Sequence, residues 1–256
     1  MAEINNALYE KEAQTWWQEG SQLSQLQALN TGRFGYLDKV LNALRINYHD
    51  LKVLDIGCGG GFICEEFAKR GARTSGVDPS PATIVEASQH ARKTGLDINY
   101  REGTGENLPF EDNSFDLISC CDVLEHVSDL EMVIQETAHV LKPGGIYFYD
   151  TINRTFLSWL LMIKVVQDWP LTRRVPKNTH LWSMFIKPEE LKSAMTKAEL
   201  QLQHEIGLGI DIDWQGIPAA VAKAFTKREL SAALQPVQSG TIQSKQIIYM
   251  GWARNS

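Results

Sequence analysis

The sequence is short of the marks that define several protein classes. Its 256 residues hold four cysteines, Cys58, Cys64, Cys120 and Cys121. None is in a Cys-x-x-Cys pairing, so neither a zinc site nor a disulfide framework is indicated. Their apolar strand or turn surroundings suit reduced, buried thiols in a cytoplasm. Lysine and arginine form no long run and the net charge is −6, which argues against a nucleic-acid partner. The first residues, Met-Ala-Glu-Ile-Asn-Asn, lack a basic region followed by an apolar run, so no signal peptide is expected. The longest apolar run, near Phe156–Val166, falls short of the roughly 20 residues that span a bilayer. Internal repeats and low-complexity tracts are missing too. The rest is ordinary for a globular chain, with 43% hydrophobic and 22% charged residues, and it is long enough for one large domain with a good core.

Two nucleotide fingerprints also fail. A dinucleotide motif needs a third glycine three positions after its second, and Phe62 stands there. A P-loop needs Gly-Lys-Ser/Thr, which is absent. Present instead is Val53-Leu-Asp-Ile-Gly-Cys-Gly-Gly-Gly61. Val53, Leu54 and Ile56 predict a buried parallel strand, followed by a glycine turn and a helix over about Phe62–Arg70. Glycine permits positive φ and lets a ligand approach the backbone. Twenty-one positions after Gly57 (78 − 57 = 21), Asp78 ends the next apolar strand, where an acid accepts both hydroxyls of a ribose. Asp55, Gly57, Gly59, Gly61 and Asp78 together resemble the S-adenosylmethionine (SAM) methyltransferases. A tight strand-helix turn without ligand is the bland alternative.

In chain order, residues about 6–29 read as helical. Trp16 and Trp17 lie inside that stretch and cannot both face one core from a helix. A second helix ends near Ile46. Pro81–Thr94 is an amphipathic helix closed by Gly95. Ile98–Arg101 and Phe115–Cys121 are strands. Leu130–Leu141 is a helix stopped by Lys142-Pro-Gly-Gly145, and Ile146–Asp150 is the fifth strand. Strands alternating with helices mean βαβ units and a mostly parallel sheet. Beyond Thr151 the alternation breaks. Phe156–Trp169 reads as an apolar helix, Arg173 and Arg174 follow, and Pro188–Lys197 is a short helix. Leu200–Gly207 is a sixth strand, residues about 208–244 are irregular with a helix at Pro218–Phe225, and Lys245–Ala253 is the last strand.

Asp122, Glu125 and His126 follow the fourth strand at i, i+3, i+4. On a helical turn they share one face. Two carboxylates and an imidazole can hold one divalent cation such as Mg²⁺; a solvated turn with an N-capping acid is the other reading.

With these residues the resemblance narrows to the ubiquinone-biosynthesis O-methyltransferase family. Its carriers are Trp16-Trp17, Arg33-x-Gly35-Tyr36, Val53–Gly61, Asp122 with Leu124–Val127, Leu141–Gly145, Asn153-Arg154, Pro176-Lys177-x-Thr179-His180 and Phe185–Leu191. The resemblance covers about residues 10–210. It implies an α/β, Rossmann-like class I methyltransferase fold, with a mostly parallel seven-stranded sheet and helices on both faces. The expected layout is a single domain over 1–256, with N-terminal helices over 6–46 and a lid inserted at about 152–187. The implied SAM contacts are Arg33, Gly57, Asp78 and Cys121, with Thr104 and Gly105 near the adenine. The implied metal ligands are Asp122, Glu125 and His126. The family usually has Met-Glu where Cys121-Asp122 stands, and residues 210–256 depart from it.

The implied reaction moves a methyl group from SAM to a phenol or catechol hydroxyl, such as that of a quinone precursor. A metal ion, or a histidine base at His126 or His180, would help remove the phenol proton. Glu125 belongs to the same candidate set. Other acceptors, a polyketide phenol or a carbon nucleophile, fit the same motifs. A SAM-binding protein without catalysis is the reading from a different class. Finally, the apolar and aromatic residues over about 156–174, beside paired arginines, suit a peripheral contact with the inner face of a membrane; a plain lid is the alternative.

Overall fold

The computed structural model describes residues 7–21, 23–170, 175–211 and 238–256. A short helix α1 (Ala7–Lys11) and two 3-10 stretches (Ala13–Thr15 and Leu23–Leu29) precede α2 (Asn30–Leu44). Then come β1 (Lys52–Ile56), α3 (Phe62–Lys69), β2 (Arg73–Asp78), α4 (Pro81–Thr94) and β3 (Ile98–Glu102). They are followed by β4 (Phe115–Cys121), a 3-10 turn (Leu124–His126), α5 (Leu130–Val140) and β5 (Leu141–Ile152). The single turn α6 (Phe156–Ser158) runs into a π-helix (Trp159–Asp168). A 3-10 turn (Trp182–Met184), α7 (Pro188–Lys197), β6 (Leu200–Asp211), β7 (Gln238–Ile242) and β8 (Ile248–Asn255) complete the described elements.

All eight strands form one sheet in the order β3-β2-β1-β4-β5-β8-β6-β7. The first five are parallel; β8 is antiparallel to β5 and β6, and β7 is antiparallel to β6. The chain runs outward from β1 through β3, then returns to lay β4 on the other side of β1. Ligands bind at such a reversal, at the carboxyl ends of the strands. Side chains of each strand alternate between two helical layers. Leu54, Ile118 and Tyr147 pack with Val133 of α5 and Leu191 of α7. Val53, Leu117 and Phe148 pack with Leu37 and Leu41 of α2 and Phe67 of α3. α4 keeps its expected bounds, with Gly95 closing the helix at φ +73°; Ser80 caps the N-terminus by accepting from the Thr83 N–H at 3.3 Å.

Several expectations are corrected. Among the described residues the sheet has eight strands rather than seven, because β6 runs on to Asp211 and pairs there with β7, inside a stretch read as irregular. β7 is then fastened to the start of α2. Ser239 Oγ donates to the carbonyls of Ala28 (2.7 Å) and Leu29 (2.9 Å) and accepts the Gly32 N–H at 2.8 Å. The final strand starts at Ile248 rather than Lys245. The Lys245 ammonium is held by Glu205 at 2.6 Å and its carbonyl by Asn153 Nδ2 at 2.7 Å, away from the ladder. Residues 6–29 are not one helix within the described residues. Two adjacent indoles point about 100° apart on a helix, and leaving it lets both reach the glycine turn. The segment Phe156–Trp169 is mostly π-helix, whose wider turn puts Ile163 and Gln167 on its buried side. The helix at Pro218–Phe225, and Arg173 and Arg174, lie outside the described residues.

Replacing Ser239 by alanine strands buried backbone groups of α2, a loss of about 1–3 kcal/mol. Urea unfolding should show a lower midpoint at unchanged slope; an unchanged midpoint would mean the β7–α2 junction does not hold the folded state.

Candidate functional site

The turn after β1 is glycine by necessity. Gly57 has φ +67°, and a Cβ there would stand 2.3 Å from Val123 Cγ2. At Gly59, φ +50°, a Cβ would stand 2.5 Å from the Trp16 ring. The close approach read from the glycines is therefore made in part by the chain itself. Trp16 covers Gly59 and Gly60, while Trp17 donates its indole N–H to the Gly60 carbonyl at 2.9 Å and stacks on His90 with centroids 3.5 Å apart. Both tryptophans thus grip one turn, which settles how two adjacent indoles are used.

Beside this turn lies a cavity of about 1210 Å³. Arg33, Asp55, Gly57, Gly59, Asp78, Thr104, Gly105, Cys121, Asp122, Glu125, His126 and His180 all line it. Gly61 does not; it caps α3. From this polar end the cavity continues between aliphatic side chains, among them Leu157, Leu161 and Met162 of the α6–π segment and Leu208 and Ile248 of the sheet.

Asp78 ends β2. Its Oδ2 accepts the Gly59 N–H at 3.0 Å and its Oδ1 the Ser80 N–H at 2.9 Å. Burial raises its pKa, and these two bonds pull it down. Each oxygen keeps a further acceptor position. Asp55 is more committed: Ser119 Oγ donates to Oδ1 at 2.6 Å and Cys64 Sγ to Oδ2 at 3.6 Å. Its burial pushes the carboxyl up to about 7. Asp55 therefore braces β1 against β4 beneath the turn.

Arg33, buried in α2, is the densest node. Its Nε donates to Asp150 Oδ2 at 2.6 Å and its Nη2 to Asp150 Oδ1 at 3.1 Å; Nη1 reaches Asn30 Oδ1 at 3.3 Å. Nη2 is also paired with Asp122. Burial works against the guanidinium charge, and Asp122 with Asp150 more than offsets this, so its pKa is raised. Asp122 has φ +55° and donates its own N–H to Asp150 Oδ1 at 3.1 Å.

That geometry corrects the expected helical face. Only Leu124–His126 forms a turn, and Asp122 precedes it in left-handed backbone, drawn to Arg33. Glu125 is buried and accepts Thr151 Oγ1 at 2.7 Å; burial first, then Asp122, push its carboxyl to about 8. The His126 ring meets the Tyr9 hydroxyl at 3.4 Å, and its pKa falls to about 3 through burial and then His180. Among the described residues no group of three His, Cys, Asp or Glu side chains is placed to hold a metal ion. In this arrangement the trio does not fit Mg²⁺.

His180 lies against His126, ring centroids 5.3 Å apart, and burial holds its pKa near 4. Among the described residues, three buried polar atoms of the cavity lining lack partners: Trp16 Nε1, Asn30 Nδ2 and His180 Nδ1. A cavity of this size, walled by unsatisfied donors and by Asp78, fits a ligand with ribose hydroxyls and a polar tail. The sequence reading missed Tyr9, Asn30, Asp150 and Thr151. Asp150 was findable, since it ends an apolar strand at the ligand-binding edge; Tyr9 carries no local signal.

Asp55 also sets a pH dependence. Its carboxyl titrates near 7 when folded, against 3.8 when free. Its burial costs nothing while both states are protonated, and the cost grows as pH rises from about 4 to about 7, by up to about 1.4 kcal/mol per unit. Asp55→Asn removes that slope. The variant should gain on the native chain between pH 5 and 7 in thermal melts; parallel pH curves would show that Asp55 does not titrate in this range.

The family described as "Methyltransferase domain" matches residues 54–149. The ubiquinone biosynthesis O-methyltransferase of Azorhizobium caulinodans is 37% identical over 205 residues, 77% of this chain and 79% of that protein. That of Bartonella tribocorum is 38% identical over 204 residues, 77% and 81% of the two. A SAM-dependent methyltransferase from Aquifex aeolicus shares the fold, with TM-score 0.60 at 13% identity over 99% of this chain and 100% of that one. With its glycine turn, its acid at the end of β2 and these relatives, the chain belongs to the ubiquinone biosynthesis O-methyltransferase family and is a SAM-dependent methyltransferase.

Proposed function

We propose that the chain methylates a phenolic hydroxyl of a quinone precursor, with SAM at the polar end of the cavity and the acceptor between the histidines and the lid. One observation carries the reading: a single cavity joins Asp78 and the glycine turn to His126 and His180, then to an aliphatic wall. Its apolar half suits an acceptor with an aliphatic tail. The single-domain layout, with segment 152–187 as a lid inserted after β5, is part of the same proposal.

SAM supplies an electrophilic methyl on a sulfonium, so the protein's share is to align the acceptor oxygen and take its proton. Asp78 would hold the ribose hydroxyls, Thr104 and Gly105 the base, and Gly57, Gly59 and Cys121 the body of the cofactor. Arg33 is spent on Asp122 and Asp150, leaving the unpartnered donors of Trp16 and Asn30 for the amino-acid end. His180 is neutral at pH 7, since burial holds its pKa near 4, and it has a lone pair for the acceptor. A neutral imidazole is a weak base for a free phenol, but the oxygen sheds its proton readily once it bonds to the methyl. His126, which faces Tyr9, and the protonated Glu125 shape the acceptor's surroundings. The resemblance assigns Asp122, Glu125 and His126 to Mg²⁺. Asp122 is instead held by Arg33.

Phe156 is 72% and Trp169 55% exposed, an unusual surface that suits contact with a membrane holding a tailed acceptor. No helix among the described residues is long and apolar enough to cross a membrane.

The test is methyl transfer from labelled SAM to a catechol with a short prenyl tail. Asp78→Ala should weaken SAM binding in calorimetry by about tenfold or more, the loss of two charge-assisted hydrogen bonds. His180→Ala should lower kcat on the order of 10²-fold with SAM affinity retained. Full turnover in His180→Ala refutes the base. Exhaustive chelation should leave turnover intact; a loss restored by Mg²⁺ would show that Asp122 leaves Arg33 for a metal during turnover.

A further inference from the structure

Gln167 stands out on the π-helix. It is 3% exposed, although Lys164 and Trp169 nearby face solvent. A buried amide is stable only when bonded, and both of its groups go to one residue. Gln167 Oε1 accepts the His180 backbone N–H at 2.8 Å, and Gln167 Nε2 donates to the His180 carbonyl at 3.2 Å. The side chain thus imitates a paired strand, clamping a residue 13 positions away. The preceding residue, Thr179, is pinned separately, its Oγ1 donating to the Pro176 carbonyl at 2.9 Å.

The His180 ring itself has no such support. Among the described residues its buried Nδ1 meets no partner. The ring is located by contacts with His126 at 5.3 Å and Phe185 at 6.1 Å. A histidine that takes a proton is usually aimed by a second group on its other nitrogen. Here the backbone clamp is the feature that can do the aiming.

We propose that Gln167 is a positioning residue for methyl transfer: it fixes the His180 backbone and so places the imidazole at the junction of the cofactor and acceptor ends of the cavity. This rests on the reading of His180 as the proton acceptor. Gln167 touches neither reacting group; its effect passes through His180 alone. The clamp also ties the lid to the chemistry, because the π-helix must be seated for His180 to be in place.

The experiment compares Gln167→Ala, Gln167→Glu, His180→Ala and the double variant Gln167→Ala with His180→Ala, using labelled SAM and the short-chain prenylated catechol. Gln167→Ala should lower kcat on the order of 10- to 100-fold, the scale of a displaced catalytic group. Acceptor KM and the SAM dissociation constant from calorimetry should stay within about twofold. Gln167→Glu still accepts the His180 N–H and should recover part of kcat. The double variant should be no slower than His180→Ala, because two residues acting through one group are not additive. Native kcat in Gln167→Ala beside an impaired His180→Ala overturns the positioning role and leaves the base standing. Losses that multiply in the double variant overturn it too, as does a Gln167→Ala defect confined to KM. Native turnover in His180→Ala overturns both. Should Gln167→Ala fail to fold in thermal melts, Gln167→Met, which keeps the side-chain volume and loses both bonds, decides: native kcat there refutes the clamp, and a reduced kcat supports it.

Discussion

The buried ion triad of Arg33, Asp150 and Asp122 is the constraint on which the site depends. It joins α2, the end of β5 and the turn after β4, three elements distant in sequence. Removing an ion from water costs several kcal/mol, and pairing offsets this only with good geometry and full hydrogen bonding. Here the guanidinium is bidentate on Asp150, and Asp150 also accepts the Asp122 N–H. That bond helps hold Asp122 in left-handed backbone, a conformation that costs a non-glycine residue on the order of 1 kcal/mol. One cation faces two carboxylates, so negative charge remains in the pocket. Together with burial it keeps the neighbouring Glu125 protonated near neutral pH.

Around this node the molecule divides its labour by polarity. The carboxyl ends of the parallel strands bring backbone amides and carboxylates to one edge. The segment from α1 to Leu29 closes over that edge, with Trp16 on the glycine turn, Trp17 on His90 and Tyr9 at His126. The α6–π segment and the antiparallel strands supply the aliphatic remainder. The cavity therefore changes composition along its length, polar beside the glycine turn and aliphatic beyond the histidines. The two histidines sit where those compositions meet, which is why burial keeps both of them neutral.

Much of this was legible in the chain. Val53–Gly61 announced a strand, a turn and a helix because burial on both faces demands an apolar run and positive φ demands glycine. Asp78 was readable from its distance to that turn. Pro81 and Gly95 marked the limits of α4. What the pattern did not mark was β7. Its pairing depends on where β6 ends and on Ser239 meeting the start of α2, contacts about 200 positions apart in the chain. The π-helix was hidden for a related reason: an apolar run specifies a buried face but not the pitch of the helix that buries it.

The sequence by itself therefore determined the parallel half of the sheet, the glycine turn and the acid beside it, since each follows from residues within one local unit. Only the tertiary structure decided the partner of Asp122 and the charge states of Glu125, His126 and His180. Their spacing allowed a metal face; Arg33, 89 positions before Asp122, takes the first carboxylate instead. Burial leaves Glu125 protonated and both imidazoles neutral. Charge state and partner choice depend on what is packed nearby, and packing between distant segments is not written in any local run of residues.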